Sequence, residues 1–368
     1  MTRSISLKFR FFTFISIALL PFVHGYNLND TYLSPGSFVE EPLSLTTFFE
    51  YLFANGLLRF RIPLLFLISG YLYALYDNRN YWQQVKKRTK SLLVPYLVWS
   101  AFGLAFTFCL QQNSFTAPIV AAARIDQMND YRNYLSIGWG GILLRWLLAP
   151  VAFQLWFILS LYLYNLTYPI LRWLITRCTI PWFLFCFTLF FVNYTDFIME
   201  GRGLLFFSLG VWLQKNKFNI EKEPSWFSLG LCLILYIGVC LVKTFMAFEL
   251  DALTPGNNWI IITLYQIGVI CGLLSVWYGS NNLVNQVMKN SFLSKQSTHS
   301  FFIFGLHVPL LPYVMKWATL YFQWLPNYRL ITYLVVPTVV LLFCLFMANV
   351  FYRYFPKIYH VLTGGRSL

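Results

Sequence analysis

The sequence predicts an all-α integral membrane protein, a bundle of about ten transmembrane helices with both termini cytoplasmic. Three observations carry this. The 368 residues are 58% hydrophobic and only 11% charged, against about 25% charged in an average soluble domain. Apolar runs of about 20 residues, the length that crosses about 30 Å of hydrocarbon, recur along the whole chain. The runs are continuous rather than alternating, which selects helices over a barrel.

Ten spans are expected, at 11–27, 57–76, 91–110, 152–171, 180–197, 203–214, 226–247, 259–279, 301–322 and 330–352. The sixth is short and rich in glycine (Gly201, Gly203, Gly210). With the amino terminus inside, the inner loops collect 18 of the 27 basic residues and three of the 13 acids, Asp77, Glu221 and Glu223. That bias follows the positive-inside rule and sets the orientation. It also accounts for most of the +14 net charge, so no nucleic-acid partner is expected. The seven cysteines lie in or beside apolar runs, without metal-ligand or disulfide spacing, and read as small core residues. No metal site is expected. The first segment has a basic start but no small-residue cleavage site, and reads as a retained helix. Residues 1–368 are expected to form one transmembrane domain with no appended soluble domain.

Outer loops are long at 28–56 and 111–151. The second contains Trp139-Gly-Gly-Ile-Leu-Leu-Arg145-Trp-Leu-Leu, a piece suited to the membrane interface.

Candidate chemistry begins with His24, near the outer end of the first span. An ionisable group there is costly and suggests function, and histidine moves protons near neutral pH. Arg10, fourteen residues earlier, lies about 21 Å away on a straight helix, so the two form no dyad. Arg59 and Arg61 open the second span at its outer boundary, against the charge bias, and suit an anionic sugar, phosphate or carboxylate. Ser69-Gly70 is a small pair that lets helices approach, with Tyr71 beside it. Lys86, Lys87, Arg88 and Lys90 form the densest charge in the chain. They suit lipid phosphates or a phosphate-rich cytoplasmic ligand such as coenzyme A. Trp156 reads first as a membrane-belt residue, and His307, two residues before Pro309, as a core histidine or a supporting group. No HExxH, GxSxG, P-loop or GxGxxG pattern occurs, and no Asp or Glu lies deep in an expected span.

In this order these segments resemble the acyltransferase-3 family of integral membrane acyltransferases, over nearly the whole chain. The carriers are Phe22-Val-His24, Arg61-Ile-Pro63-Leu-Leu-Phe-Leu-Ile-Ser69-Gly70-Tyr71, Lys87-Arg88-x-Lys90-x-x-x-x-Pro95-Tyr96, Leu155-Trp156-Phe157 and Gly305-Leu-His307-x-Pro309. The resemblance implies transfer of an acyl group, usually acetyl, from cytoplasmic acyl-coenzyme A to a hydroxyl of a glycan or lipid-linked glycan. Acetyl-CoA would be a co-substrate, with no cofactor bound permanently. His24 matches the family's essential histidine and would act as general base or transient acyl carrier. Arg10 and the Lys86–Lys90 cluster would hold the donor, and Arg59 and Arg61 the acceptor. The family's arginine eleven residues before the histidine is Thr13 here, with Arg10 one turn earlier. Its Arg-x-x-Arg pair is approximated by Arg88-x-x-Ser91 and Lys87-x-x-Lys90. The expected location is the cell membrane, the bacterial inner membrane. The rival class is a transporter or flippase for a lipid-linked glycan.

Overall fold

The computed structural model describes every residue except 26–33, 35, 78–79, 196–199, 226, 255 and 366–368. Arg79 and Arg366 of the inner charge set, and the end of the first expected span at Tyr26 and Asn27, lie outside the described residues.

The described residues form helices and no strands beyond one isolated bridge, Thr195 with Glu200. Among the described residues, seven helical stretches are long and apolar enough to cross a membrane: Arg3–His24, Leu45–Leu75, Tyr81–Gln111, Leu229–Glu249, Asn257–Gly279, Ser291–Tyr321 and Tyr328–Tyr354. A pair bent by 114°, Tyr168–Arg177 and Thr179–Phe191, makes an eighth if counted as one. The other two expected spans are helices as well. Phe153–Leu166 and the 15-residue Gly201–Lys215 are shorter than a full crossing needs, the second rising only about 22 Å. Many large apolar side chains face outward, among them Leu231, Ile234, Leu342 and Phe346. In a multi-pass membrane protein that surface belongs to lipid rather than water.

The chain divides into two compact units. The first holds Met1–Ser16, Leu33–Lys86 and Leu163–Ser297, and the second Ile17–Tyr32, Lys87–Tyr162 and Thr298–Leu368.

In the first unit, Arg61–Leu75 packs closely on Gly201–Lys215. Gly70 lies against the Phe207 carbonyl and Gly210 against that of Leu67. Small residues allow such backbone approach, and in lipid close packing replaces the hydrophobic drive between helices. At one end of this pair the Asp77 carboxylate accepts from the Tyr168 hydroxyl at 2.8 Å and meets Lys215 at 2.5 Å and Arg172 at 3.5 Å. One buried acid thus ties three helices through paired charge.

In the second unit, Gly305 makes room for the Trp99 ring, whose Nε1 donates to the Leu362 carbonyl at 3.0 Å. Phe302 stacks on Tyr359 at 5.6 Å. Loop 111–151 is held by a buried ion pair, Arg145 Nε to Asp126 Oδ2 at 2.6 Å, with Arg145 over the Tyr134 ring at 5.6 Å. Trp139, Leu143 and Leu147 of Gly138–Leu147 are exposed.

Beside this pair, hydrogen bonds from Arg132 hold the Asp130 carboxyl well below the usual carboxylate range. A lowered folded pKa stabilises above the unfolded value of 3.8 and loses its effect as pH falls from there toward the lowered value. Loop 111–151 is therefore expected to loosen as pH falls below about 4, and less so in high salt, because Asp130 is partly exposed. Fluorescence of Trp139 followed through an acid titration at two ionic strengths checks this. A transition complete well above pH 4 would contradict it.

Candidate active site: a histidine pair at a helix break

The second unit brings His24 to His307. Their rings lie 5.7 Å apart, nearly parallel at 25°, and Phe153 meets His24 edge-on at 5.0 Å. His24 ends the short helix Leu20–His24, which starts after a break at Leu19 and carries Pro21 in its first turn. Proline is favoured at that position because its missing N–H has no intrahelical partner to lose. The Tyr333 hydroxyl donates to the Phe22 carbonyl at 3.0 Å and fixes this short helix.

His307 is fully buried. It sits one residue before an extended Val308 (φ −116°, ψ 133°) that breaks the helix Ser300–Tyr321. Pro309 and Pro312 cause the break, since neither donates to the carbonyl four residues earlier. Those carbonyls belong to Gly305 and Val308. The Gln154 side chain reaches both, at 3.5 and 3.4 Å, and that of Phe304 at 3.1 Å. One amide thus serves a backbone that two prolines leave short of donors.

The same break sets the histidine tautomer. His307 Nδ1 lies 3.1 and 3.0 Å from the Ile303 and Phe304 carbonyls. Carbonyls only accept, so Nδ1 carries the proton and Nε2 holds the basic lone pair. Replacing Gln154 with leucine is expected to cost about 1–3 kcal/mol of stability by leaving buried carbonyls short of a donor. Thermal unfolding in detergent measures it, and an unchanged midpoint would remove Gln154 from this role.

The other expected site residues are spread over both units. In the first, Arg10 donates Nε to Ser297 Oγ at 2.7 Å and Nη2 to the Ser294 carbonyl. Those partners are neutral, so the guanidinium keeps its charge uncompensated by any carboxylate among the described residues. Thr13 bonds back to the Phe9 carbonyl of its own helix at 2.8 Å and supplies no charge. Lys86, Lys87 and Lys90 are exposed, and Arg88 is half-buried beside them. They follow one another through Tyr81–Arg88 and the π-helical segment Thr89–Leu93. Ser69 is half-buried, and Tyr71 meets Phe9 edge-on at 5.3 Å. Trp156, in the second unit, opens the helix Trp156–Leu166.

Arg59 and Arg61 sit where the long helix Leu45–Leu75 is interrupted, after a π-helical turn at Leu52–Leu57. Arg59 Nη2 donates to Asn55 Oδ1. Arg61 is buried, and its donors go to the Leu58 carbonyl at 2.5 Å and the Ser16 carbonyl at 2.9 Å.

The structure adds residues. Glu50, in the expected outer loop 28–56, lies in the helical stretch Leu45–Leu75 and is fully buried. Glu200, which precedes Gly201–Lys215, is nearly so. Lys243 is buried in Leu229–Glu249. Sequence reading passed over it, although a lysine inside a run as apolar as Leu-Val-Lys243-Thr-Phe is itself a signal.

A multi-pass helical membrane protein with a histidine pair at a helix break is the class that fold and site define. The chain belongs to the acyltransferase-3 family. A model of that family, described as an acyltransferase domain, matches residues 9–351. The chain is similar to the succinoglycan biosynthesis protein ExoH of Rhizobium meliloti (strain 1021), 26% identical over 321 residues that cover 85% of this chain and 81% of ExoH. No solved structure matches.

Proposed function

We propose that the protein moves an acyl group, most simply acetyl, from acyl-coenzyme A to a hydroxyl of a surface or exported glycan. The observation that carries this is the His24–His307 pair in a chain of this family. The similarity to a protein of succinoglycan biosynthesis supports a glycan acceptor.

In this reading His24 removes the proton from the acceptor hydroxyl. The freed oxygen attacks the thioester carbonyl, the carbon–sulfur bond breaks, and the proton passes from His24 to the departing thiolate. Coenzyme A leaves as the thiol. Without that transfer the histidine would end each turnover protonated and unable to act as base again. His307, its Nδ1 fixed by two carbonyls, walls one face of the His24 ring and limits its rotation. Arg10, Lys86, Lys87, Arg88 and Lys90 draw the phosphates of the donor. Arg59 and Arg61 draw the acceptor. The positive-inside bias supports cytoplasmic termini and a count of about ten passes; in this reading the protein works in the cell membrane as one catalytic domain.

A glycan transporter or flippase is the second reading. The buried Glu50, within the membrane-length helical stretch Leu45–Leu75, favours it, since intramembrane acids serve proton coupling. Purified protein given acetyl-CoA and an oligosaccharide separates the two. An acyltransferase releases free thiol and increases the glycan's mass by acetyl units, whereas a transporter does neither.

A further inference from the structure

Lys243 is buried in the first unit. Its Nζ donates to the Tyr51 hydroxyl at 3.2 Å and the Asn55 carbonyl at 2.9 Å. It lies 4.6 Å from the Tyr51 ring centre and 5.8 Å from that of Tyr265. Among the described residues no carboxylate pairs with it. Burying an ammonium against neutral oxygens and aromatic faces alone is expensive, and an arriving anion lowers that cost.

The neighbouring groups have spare hydrogen-bonding capacity. Asn55 is fully buried, its Oδ1 accepts from Arg59, and its Nδ2 has no partner. Turning the amide over would set donor against donor at Arg59, so the geometry assigns the unused donor to Nδ2. Past Tyr265, Arg202 donates to the Tyr265 hydroxyl and pairs with Glu200. Arg202 Nε and Glu200 Oε2 make no hydrogen bond. An ammonium, an unused amide donor, tyrosine faces and a carboxylate with open lone pairs are what a sugar ring bearing an acid group asks for. The anion answers the ammonium, the hydroxyls answer amide and carboxylate, and the C–H face answers the aromatic rings.

We propose that Tyr51, Asn55, Lys243, Tyr265, Arg202 and Glu200 form a subsite for a carboxylate-bearing sugar residue. The subsite rests on the reading that the acceptor is a glycan, and it names the chemical class of one unit of that glycan.

The test is direct binding of D-glucuronate, D-glucose and inorganic phosphate to the full chain in detergent, by ligand-observed NMR titration. Glucuronate is expected to bind at least tenfold more tightly than either glucose or phosphate. Lys243→Met, which keeps length and removes charge, is expected to reduce that preference at least tenfold. Asn55→Asp keeps the bond to Arg59 and replaces the free donor with an acceptor, so it should abolish glucuronate binding in a protein that still folds, as judged by its thermal midpoint. Equal binding of glucuronate and glucose overturns the proposal. So does phosphate binding as tightly as glucuronate, or a folded Asn55→Asp protein that keeps the preference. Release of thiol from acetyl-CoA is measured in parallel. Glucuronate binding without thiol release would sink the acyltransferase reading and leave the subsite standing, whereas thiol release without a glucuronate preference would do the reverse.

Discussion

His24→Ala is expected to lower acyl transfer to the glycan by about 10²–10⁴-fold, the usual worth of a positioned general base. That range corresponds to about 3–5 kcal/mol of transition-state stabilisation. The side chain is half-buried between Phe153 and His307 rather than locked in a dense core. Removing it should therefore cost the fold little, and the amount of protein recovered from membranes should match the wild type. Unchanged acylation in a membrane-inserted His24→Ala protein would defeat the proposed chemistry outright. The variant also separates the two roles the sequence left open. Labelled acetyl-CoA without acceptor should leave label on the wild-type chain, absent from His24→Ala, only if the imidazole carries the acyl group. A base leaves no label on either. His307→Gln should show a smaller loss, mainly in kcat, because its side chain orients the ring that reacts.

The helices were legible because hydrocarbon demands long apolar runs, and such runs survive any rearrangement of their neighbours. Each of the ten expected intervals contains a helix. The sequence showed that the sixth span is short, but not that Phe153–Leu166 stops short or that Thr179–Phe191 turns by 114° from the helix before it. Those limits come from packing partners, not from local apolarity. The same division holds at the site. His24 stood out alone, but its meeting with His307 joins opposite ends of the chain, and no local pattern encodes that. The break beside His307 was half visible. Pro309 and Pro312 announce two carbonyls without donors, and only the fold identifies Gln154 as the side chain that serves them. Buried charges were the least legible. Lys8 counts as an inner anchor in the sequence, yet it is buried, donating to Asn281 Oδ1 at 2.7 Å and lying 4.2 Å from the Trp277 ring centre. Its partners lie on a distant segment, so its cost in isolation misstates its cost in place.

Gly210→Ala is expected to destabilise the first unit by about 3 kcal/mol, at the upper end of what overpacking ordinarily costs. A methyl group built on Gly210 would stand 2.1 Å from the Leu67 carbonyl oxygen, and one on Gly70 would stand 2.1 Å from that of Phe207. Both obstacles are backbone, so no side chain can rotate aside, and the helices Arg61–Leu75 and Gly201–Lys215 must move apart. The separation would loosen the contacts of Phe66 and Phe207 with Tyr164, at 5.8 and 5.3 Å. Because one displacement relieves both clashes, Gly70→Ala added to Gly210→Ala should cost much less than the sum of the two singles. Gly238 is the matched control. It lies in the helix Leu229–Glu249 with open space where its Cβ would go, so Gly238→Ala should be neutral or stabilise by up to about 1 kcal/mol through helix propensity. Unfolding of the four variants in detergent measures the difference. Gly210→Ala melting together with Gly238→Ala would show that the two helices are not held at the distance described. The pairing bears on chemistry because Arg61–Leu75 carries Arg61, Ser69 and Tyr71. Activity per folded molecule, and not yield alone, should therefore fall in Gly70→Ala, whereas Gly238→Ala should leave both unchanged.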